Sequence, residues 1–293
     1  MATDWELAQR HRYVTQHGRK PAPGVTSIDI MEKGGLKWGA ANIAAQEAVL
    51  NYPRMAEIVQ EVRATRAHAT LRPIVVGDEY YDSKAKVKVS EADPEDIYAF
   101  WARGRFDQVW RAKADRGSRI HAHALSWAQG ESIAVQPDEE GYMDAMERFY
   151  EECGPEFHHG ERIVVNPSPE DHDEWEYGGR LDTFVTLHRG PLTGDFLGDW
   201  KTGTHYRGPI ALQSAGYLGA SFATYLENGD LGPLEPLPKV ASAIDIYLRG
   251  DGTYQVVDAF AEVPQALAWS TFLHLRAALE FKKLTDKLDE EDV

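Results

Sequence analysis

The chain has 293 residues, 43% hydrophobic and 11% aromatic, enough to bury a substantial core and more than one average domain needs. No stretch approaches the roughly 18 apolar residues of a membrane span, the polar start MATDWELAQRHRYV lacks a signal peptide's apolar run, and Cys153, the single cysteine, excludes an internal disulfide or a cysteine-ligated cluster. A cytoplasmic protein with no membrane partner is expected, and the net charge of −16 argues against a globally basic nucleic-acid binder.

In chain order, residues 1–92 mix helical pattern with breaks at Pro21, Pro23, Pro53 and Pro73. Thr26 and Ser27 are candidate caps for a segment running through Met31. This predicts a helical N-terminal region, packed on a core formed by residues 93–293. From Pro94 to Gly130, Ile97, Phe100, Trp101, Val109, Trp110, Ile120, Ala124 and Trp127 recur at helical steps. Between Trp101 and His121 the stretch is also locally basic: Arg103, Arg105, Arg111, Lys113, Arg116 and Arg119 stand against only Asp107 and Asp115. Arg111, Lys113, Arg116 and Arg119 are candidates for a phosphate path, although a charged helix face pairing with an acidic body accounts for them equally well. Gly141–Glu152 reads as another helix.

The texture then changes. Arg162–Val165, Arg180–Leu187 and Phe196–Trp200 are short, apolar or alternating, and separated by Pro- or Gly-containing breaks, which predicts strands. Pro209–Leu226 predicts a helix stopped by Asn228-Gly229. Ala243–Leu248 and Tyr254–Phe260 pair as a hairpin across residues 249–252, and Pro264–Lys283 forms a last helix. The expected fold is α/β of the α+β kind, a central mixed sheet flanked by helices with a helical N-terminal half.

The informative constellation is Asp182 in GGRLDTF with Asp199 and Lys201 in LGDWKTG. Side chains alternate along a strand, so positions 199 and 201 share a face while Trp200 points into the opposite layer. Asp182 reaches that face from the neighbouring strand. Two carboxylates and an ammonium at one sheet edge suit phosphodiester hydrolysis, because hard oxygen ligands hold Mg²⁺ or Mn²⁺ and a lysine adds positive charge without ligating. A lone D-x-K is more often a salt-bridged strand end. Three weaker features accompany it: Gly117 and His121 as G-x-x-x-H, with His123 as a competitor; Gln213 and Tyr217 as Q-x-x-x-Y on one helix face; and Val25-Thr26-Ser27-Ile28 followed by Trp38. Glu161 is a further candidate acid, more simply read as a solvated strand start. Asp171-His172-Asp173-Glu174 reads as a solvated acidic loop.

In this order the motifs resemble the RecB-like and Cas4-like branch of the PD-(D/E)xK nucleases, common among phage-encoded exonucleases. The resemblance runs from Val25 to Tyr217 and is specific from Gly117 onward. It implies a restriction-endonuclease-like core and a Mg²⁺- or Mn²⁺-dependent DNA exonuclease in recombination, repair or replication. It further implies that His121, Asp182, Asp199 and the Trp200 backbone carbonyl ligate metal, that Lys201 is catalytic, and that Gln213 and Tyr217 support the site and contact the nucleic-acid backbone. Relatives often carry an iron–sulfur cluster on four cysteines; a chain with Cys153 alone is expected to lack it. With no nucleotide-binding helicase motif present, any unwinding falls to a helicase or recombination partner. Rival expectations are a structure-selective or nicking endonuclease using the same site, and a non-catalytic DNA-binding accessory protein.

Overall fold

The structure is a computed structural model and describes residues 12–13, 22–26, 35–72, 87–131, 133–167, 175–203, 207–227 and 230–291. It divides into two compact units, Gly34–Arg116 and Met1–Lys33 with Gly117–Val293. The division lies at residue 116 rather than at residue 92, because Ile97 and Tyr98 share a buried cluster with Ile58, Val59, Val62, Leu71 and Val89. That unit contains α1 (Gly35–Asn51), α2 (Met55–Thr65) and the first part of α3 (Pro94–Ala128). Pro53 sits in the first positions of a tight turn, Tyr52–Arg54, between α1 and α2, where its missing N–H costs nothing. Tyr98 donates to the Glu47 carbonyl at 3.1 Å, and Arg105 pairs with the Glu47 carboxylate at 3.2 Å.

Among the described residues, the other unit holds a five-stranded and a four-stranded sheet beside two two-stranded pairs. β1 (Arg12–Tyr13) pairs with β2 (Ala22–Pro23), and α3 from Gly117 leads into α4 (Glu140–Cys153). β3 (Pro155–His159), β4 (Arg162–Pro167), β5 (Trp175–Leu181), β6 (Thr183–Leu187) and β7 (Gly194–Lys201) follow, then α5 (Arg207–Leu218). Next come β8 (Phe222–Thr224), β9 (Leu226–Glu227), β10 (Asp230–Leu231), β11 (Glu235–Pro236), β12 (Ser242–Leu248), β13 (Tyr254–Asp258) and α6 (Gln265–Glu291). The central sheet has the order β13-β12-β7-β6-β3, mixed because β12 runs parallel to β7. The second, β11-β8-β4-β5, is antiparallel throughout.

Alternation along the central strands builds two cores. Phe196, Trp200, Val185, Ile244 and Ile246 pack with Met146 and Phe149 of α4 and Ile120 and Ala124 of α3. Leu197, Phe184, Ala243 and Tyr247 face the other way, toward Leu212 and Tyr217 of α5, Phe272 of α6, and Val164, Tyr177 and Leu181 of the second sheet. Phe149 and Phe272 are fully buried, worth about 2 kcal/mol each in apolar transfer.

The fold is therefore α+β, with a mixed sheet flanked by helices and a helical N-terminal half. No helix among the described residues is long and apolar enough to cross a membrane. Two sequence expectations need correction. The expected strand Arg180–Leu187 is split at Asp182, where the chain passes from the antiparallel sheet to the central one. The helix expected to reach Leu226 stops at Leu218, because Phe222–Thr224 pairs with Ile163–Val165 and buries Ala223 and Thr224; sheet pairing overrides local helix propensity. The stop at Asn228-Gly229, the Asp171–Glu174 loop and the segment Ser27–Met31 lie outside the described residues.

Candidate active site

The geometry follows from where β6 begins. β6 and β7 pair with Thr183 opposite Gly198, so Asp182 stands just past the end of the ladder. Its Oδ2 accepts the Trp200 backbone N–H at 2.8 Å, substituting for the missing strand carbonyl. The N–H and C=O of one strand residue point to the same side, so the Trp200 carbonyl also lies on the Asp182 side of β7. His121 approaches from α3, with Nδ1 3.3 Å from the same Asp182 oxygen.

On β7, Asp199 and Lys201 share the face of Leu197, while the Trp200 ring meets Phe149 edge-on at 5.6 Å in the opposite layer. Asp199 is buried and ion-paired with Lys201. Lys201 Nζ also donates to Gln213 Oε1 at 3.1 Å, and Gln213 Nε2 donates to the Tyr217 hydroxyl at 3.0 Å. Tyr217 is buried, and the backbone of β5 makes room for its ring. A Cβ on Gly179 would stand 2.6 Å from Tyr217 Cε1. Gly179 and Tyr217, far apart in sequence, thus fit each other. A Cβ on Gly117 would likewise crowd Thr202 Oγ1 at 3.2 Å, which ties the start of G-x-x-x-H to the residue after Lys201.

The second histidine is used differently. His123 is buried, its Nε2 3.1 Å from Glu139 Oε2, and Glu139 is wholly enclosed. Arg119 donates to Glu139 as well, the Gln136 backbone N–H does so at 2.9 Å, and Arg119 also reaches Asp138 at 3.4 Å. Burial alone would raise the Glu139 carboxyl; the donors from Arg119, Gln136 and His123 outweigh it and bring the pKa down to about 2. Arg119 therefore serves an internal ion cluster. Arg111, Lys113 and Arg116 belong to the other unit, Arg111 and Lys113 exposed and Arg116 half-buried. Glu161 lines the same small cleft as His121, Asp182 and Trp200, and pairs with Arg180 at 3.9 Å.

Sequence reasoning missed Asp245. It sits on β12 directly opposite Asp199, 1% exposed. The signal was a lone Asp amid the apolar run SAIDIYL, unusual in a buried central strand. Burial, then the Asp199 charge, push its carboxyl up to about 7; Lys201 opposes this and Asp182 adds to it. Asp199 is also raised, by burial against the pull of Lys201 and with the repulsion of Asp182. Asp182 goes down: burial opposes, but His121, the Trp200 N–H and Lys201 prevail. Lys201 is raised, since Asp199 and Asp245 outweigh the burial that would discharge it, and it stays an ammonium.

One imidazole, several carboxylates and a strand carbonyl form a donor set suited to hard or borderline divalent cations. Among the described residues no three His, Cys, Asp or Glu side chains form a ready-made cage; His121 and Lys201 hold the carboxylates instead. Cys153 is buried, its Sγ 3.6 Å from the Tyr254 hydroxyl. No family model matches the chain, and no curated protein matches its sequence.

Proposed function

We propose that the chain is a metal-dependent nuclease of the PD-(D/E)xK superfamily, RecB-like in motif order, hydrolysing phosphodiester bonds of DNA from an end. One observation carries the reading. Motifs scattered from His121 to Tyr217 meet in two runs of polar contacts joined by the Asp199–Trp200 backbone: His121 on Asp182 and Asp182 on the Trp200 N–H, then Asp199 ion-paired with Lys201, Lys201 on Gln213, and Gln213 on Tyr217. A decorative D-x-K would need none of these partners.

Asp182, Asp199, His121 and the Trp200 carbonyl would hold Mg²⁺ or Mn²⁺, which supplies an acidified water and neutralises charge on the phosphoryl group. Asp182 is oriented by two donors, His121 and the Trp200 N–H, so its carboxylate is fixed beforehand. Lys201 keeps its proton and presents a fixed positive charge where the phosphate becomes more negative. Gln213 holds the ammonium in place through its carbonyl oxygen, and Tyr217 fixes which way the Gln213 amide faces. The expected setting is cytoplasmic DNA metabolism, with a helicase or recombination partner for any unwinding.

The test is digestion of end-labelled single- and double-stranded DNA beside supercoiled plasmid, across Mg²⁺ and Mn²⁺ titrations. Linear DNA should be degraded, closed circles spared, and EDTA should stop the reaction. Nicked plasmid would make the enzyme an endonuclease with the same site. Intact DNA under every metal condition, with folded protein, would defeat the reading.

A further inference from the structure

We propose that Asp245 is a third carboxylate of this site and shares a second divalent cation with Asp199, an inference that rests on the metal-dependent reading above. The placement comes from backbone register. β7 and β12 run parallel with Asp199 opposite Asp245, and neighbouring strands lie about 4.8 Å apart. Asp182 flanks Asp199 on the other side, at the end of β6. Three aspartates thus form a row across three neighbouring strand positions, an arrangement that like charges disfavour.

The row has fewer cations than it needs. Lys201 is committed to Asp199 and Gln213, and His121 to Asp182. Asp245 Oδ2 is buried with no hydrogen-bond partner. Leaving a buried carboxylate oxygen unpaired is costly, and an aliphatic side chain would fill the same strand position without that cost. Asp245 instead stands beside Asp199 in the register, on the face that carries Lys201.

A small hard cation needs only one or two protein carboxylates, the remainder of its coordination coming from water and substrate oxygens. Asp199 and Asp245 therefore suffice without a third protein ligand. Asp199, flanked in the register by Asp182 on one side and Asp245 on the other, would serve both cations.

The experiment counts Mn²⁺ on the full chain by calorimetry and electron paramagnetic resonance, for wild type, Asp245→Asn, Asp245→Ala and Asp182→Asn. Wild type should bind two Mn²⁺ with a spin-coupled spectrum, and each Asp245 variant only one, uncoupled. A folded Asp245 variant that keeps two coupled ions overturns the proposal. So does a wild type that binds a single ion, a result that decides the matter even where neither Asp245 variant folds. Mn²⁺ binding lost in Asp182→Asn but unchanged in Asp245→Asn overturns this proposal and leaves the nuclease reading standing. A wild type that binds no Mn²⁺ at millimolar concentration overturns both.

Discussion

His121 and His123 stand two residues apart on α3, and each faces a carboxylate, Asp182 at 3.3 Å and Glu139 at 3.1 Å. Around Glu139 the donors are in surplus: an arginine, an imidazole and a backbone amide converge on one enclosed carboxylate and hold it ionised. Around Asp182 the acceptors are in surplus: Asp182, Asp199 and Asp245 share one lysine and one histidine, and Asp245 keeps an orphaned oxygen. The first arrangement is what a folded state gains from. The second costs stability, and on the proposed reading a cation would complete it. Two histidines of identical local sequence character are separated by what their neighbours leave unsatisfied.

The largest expected effect lies in the unsatisfied cluster. Asp182→Ala or Asp199→Asn should lower cleavage by about 10³-fold or more, while the melting temperature of the metal-free Asp199→Asn protein holds or rises as repulsion on its raised carboxyl is relieved. Initial rates and thermal melts on the same preparations decide it, and ordinary turnover in either variant would move the active site elsewhere. Glu139→Ala should do the reverse. Removing one partner of an enclosed ion cluster should destabilise the fold by about 3 kcal/mol with cleavage retained in whatever remains folded. An unshifted urea midpoint would contradict this account of Glu139.

The same contrast has an acid limb. The Glu139 carboxyl is depressed from an ordinary 4.5 to about 2, so its stabilisation is full above the ordinary value. It is lost as the pH falls from about 4.5 through about 2. Glu139→Gln should flatten the stability curve over that window, and a wild-type slope in the variant would count against the assignment. A smaller effect separates the histidines: His121→Ala should weaken Mn²⁺ binding with little change in stability, and His123→Ala should cost about 1–2 kcal/mol with Mn²⁺ binding unchanged. Equal effects in calorimetry would erase the distinction. Smallest of all, Tyr217→Phe should reduce kcat by about tenfold through a less firmly held Gln213, leaving metal affinity alone; a changed Mn²⁺ affinity would place Tyr217 nearer the ligands.

Much of this was legible in the sequence because it was local. Alternation placed Asp199 and Lys201 opposite Trp200, i,i+4 spacing put Gln213 beneath Tyr217, and the hairpin at residues 249–252 followed from its turn residues. What escaped depended on long-range pairing. Nothing near Asp182 announces a change of sheet, since both segments look like strand. Phe222–Thr224 carries a continuing helical pattern until β4 captures it. Asp245 was hidden in a hairpin strand, because the parallel register that brings it beside Asp199 joins segments more than forty residues apart. Arg119 belongs to the basic run by composition but to Glu139 by geometry.

The passage of the chain at Asp182 has a consequence for the making of the protein. The site around the residue is complete only when three separate stretches are in place: α3 for His121, β7 for the Trp200 amide, and β5 docked so that Gly179 receives the Tyr217 ring. The first and last of these join stretches far apart in the chain, and such contacts are slow to close in folding. On the proposed reading, a nascent or half-folded copy is chemically silent, and phosphodiester cleavage switches on only in a molecule that has finished folding. On that same reading, the topology itself would act as a safety catch.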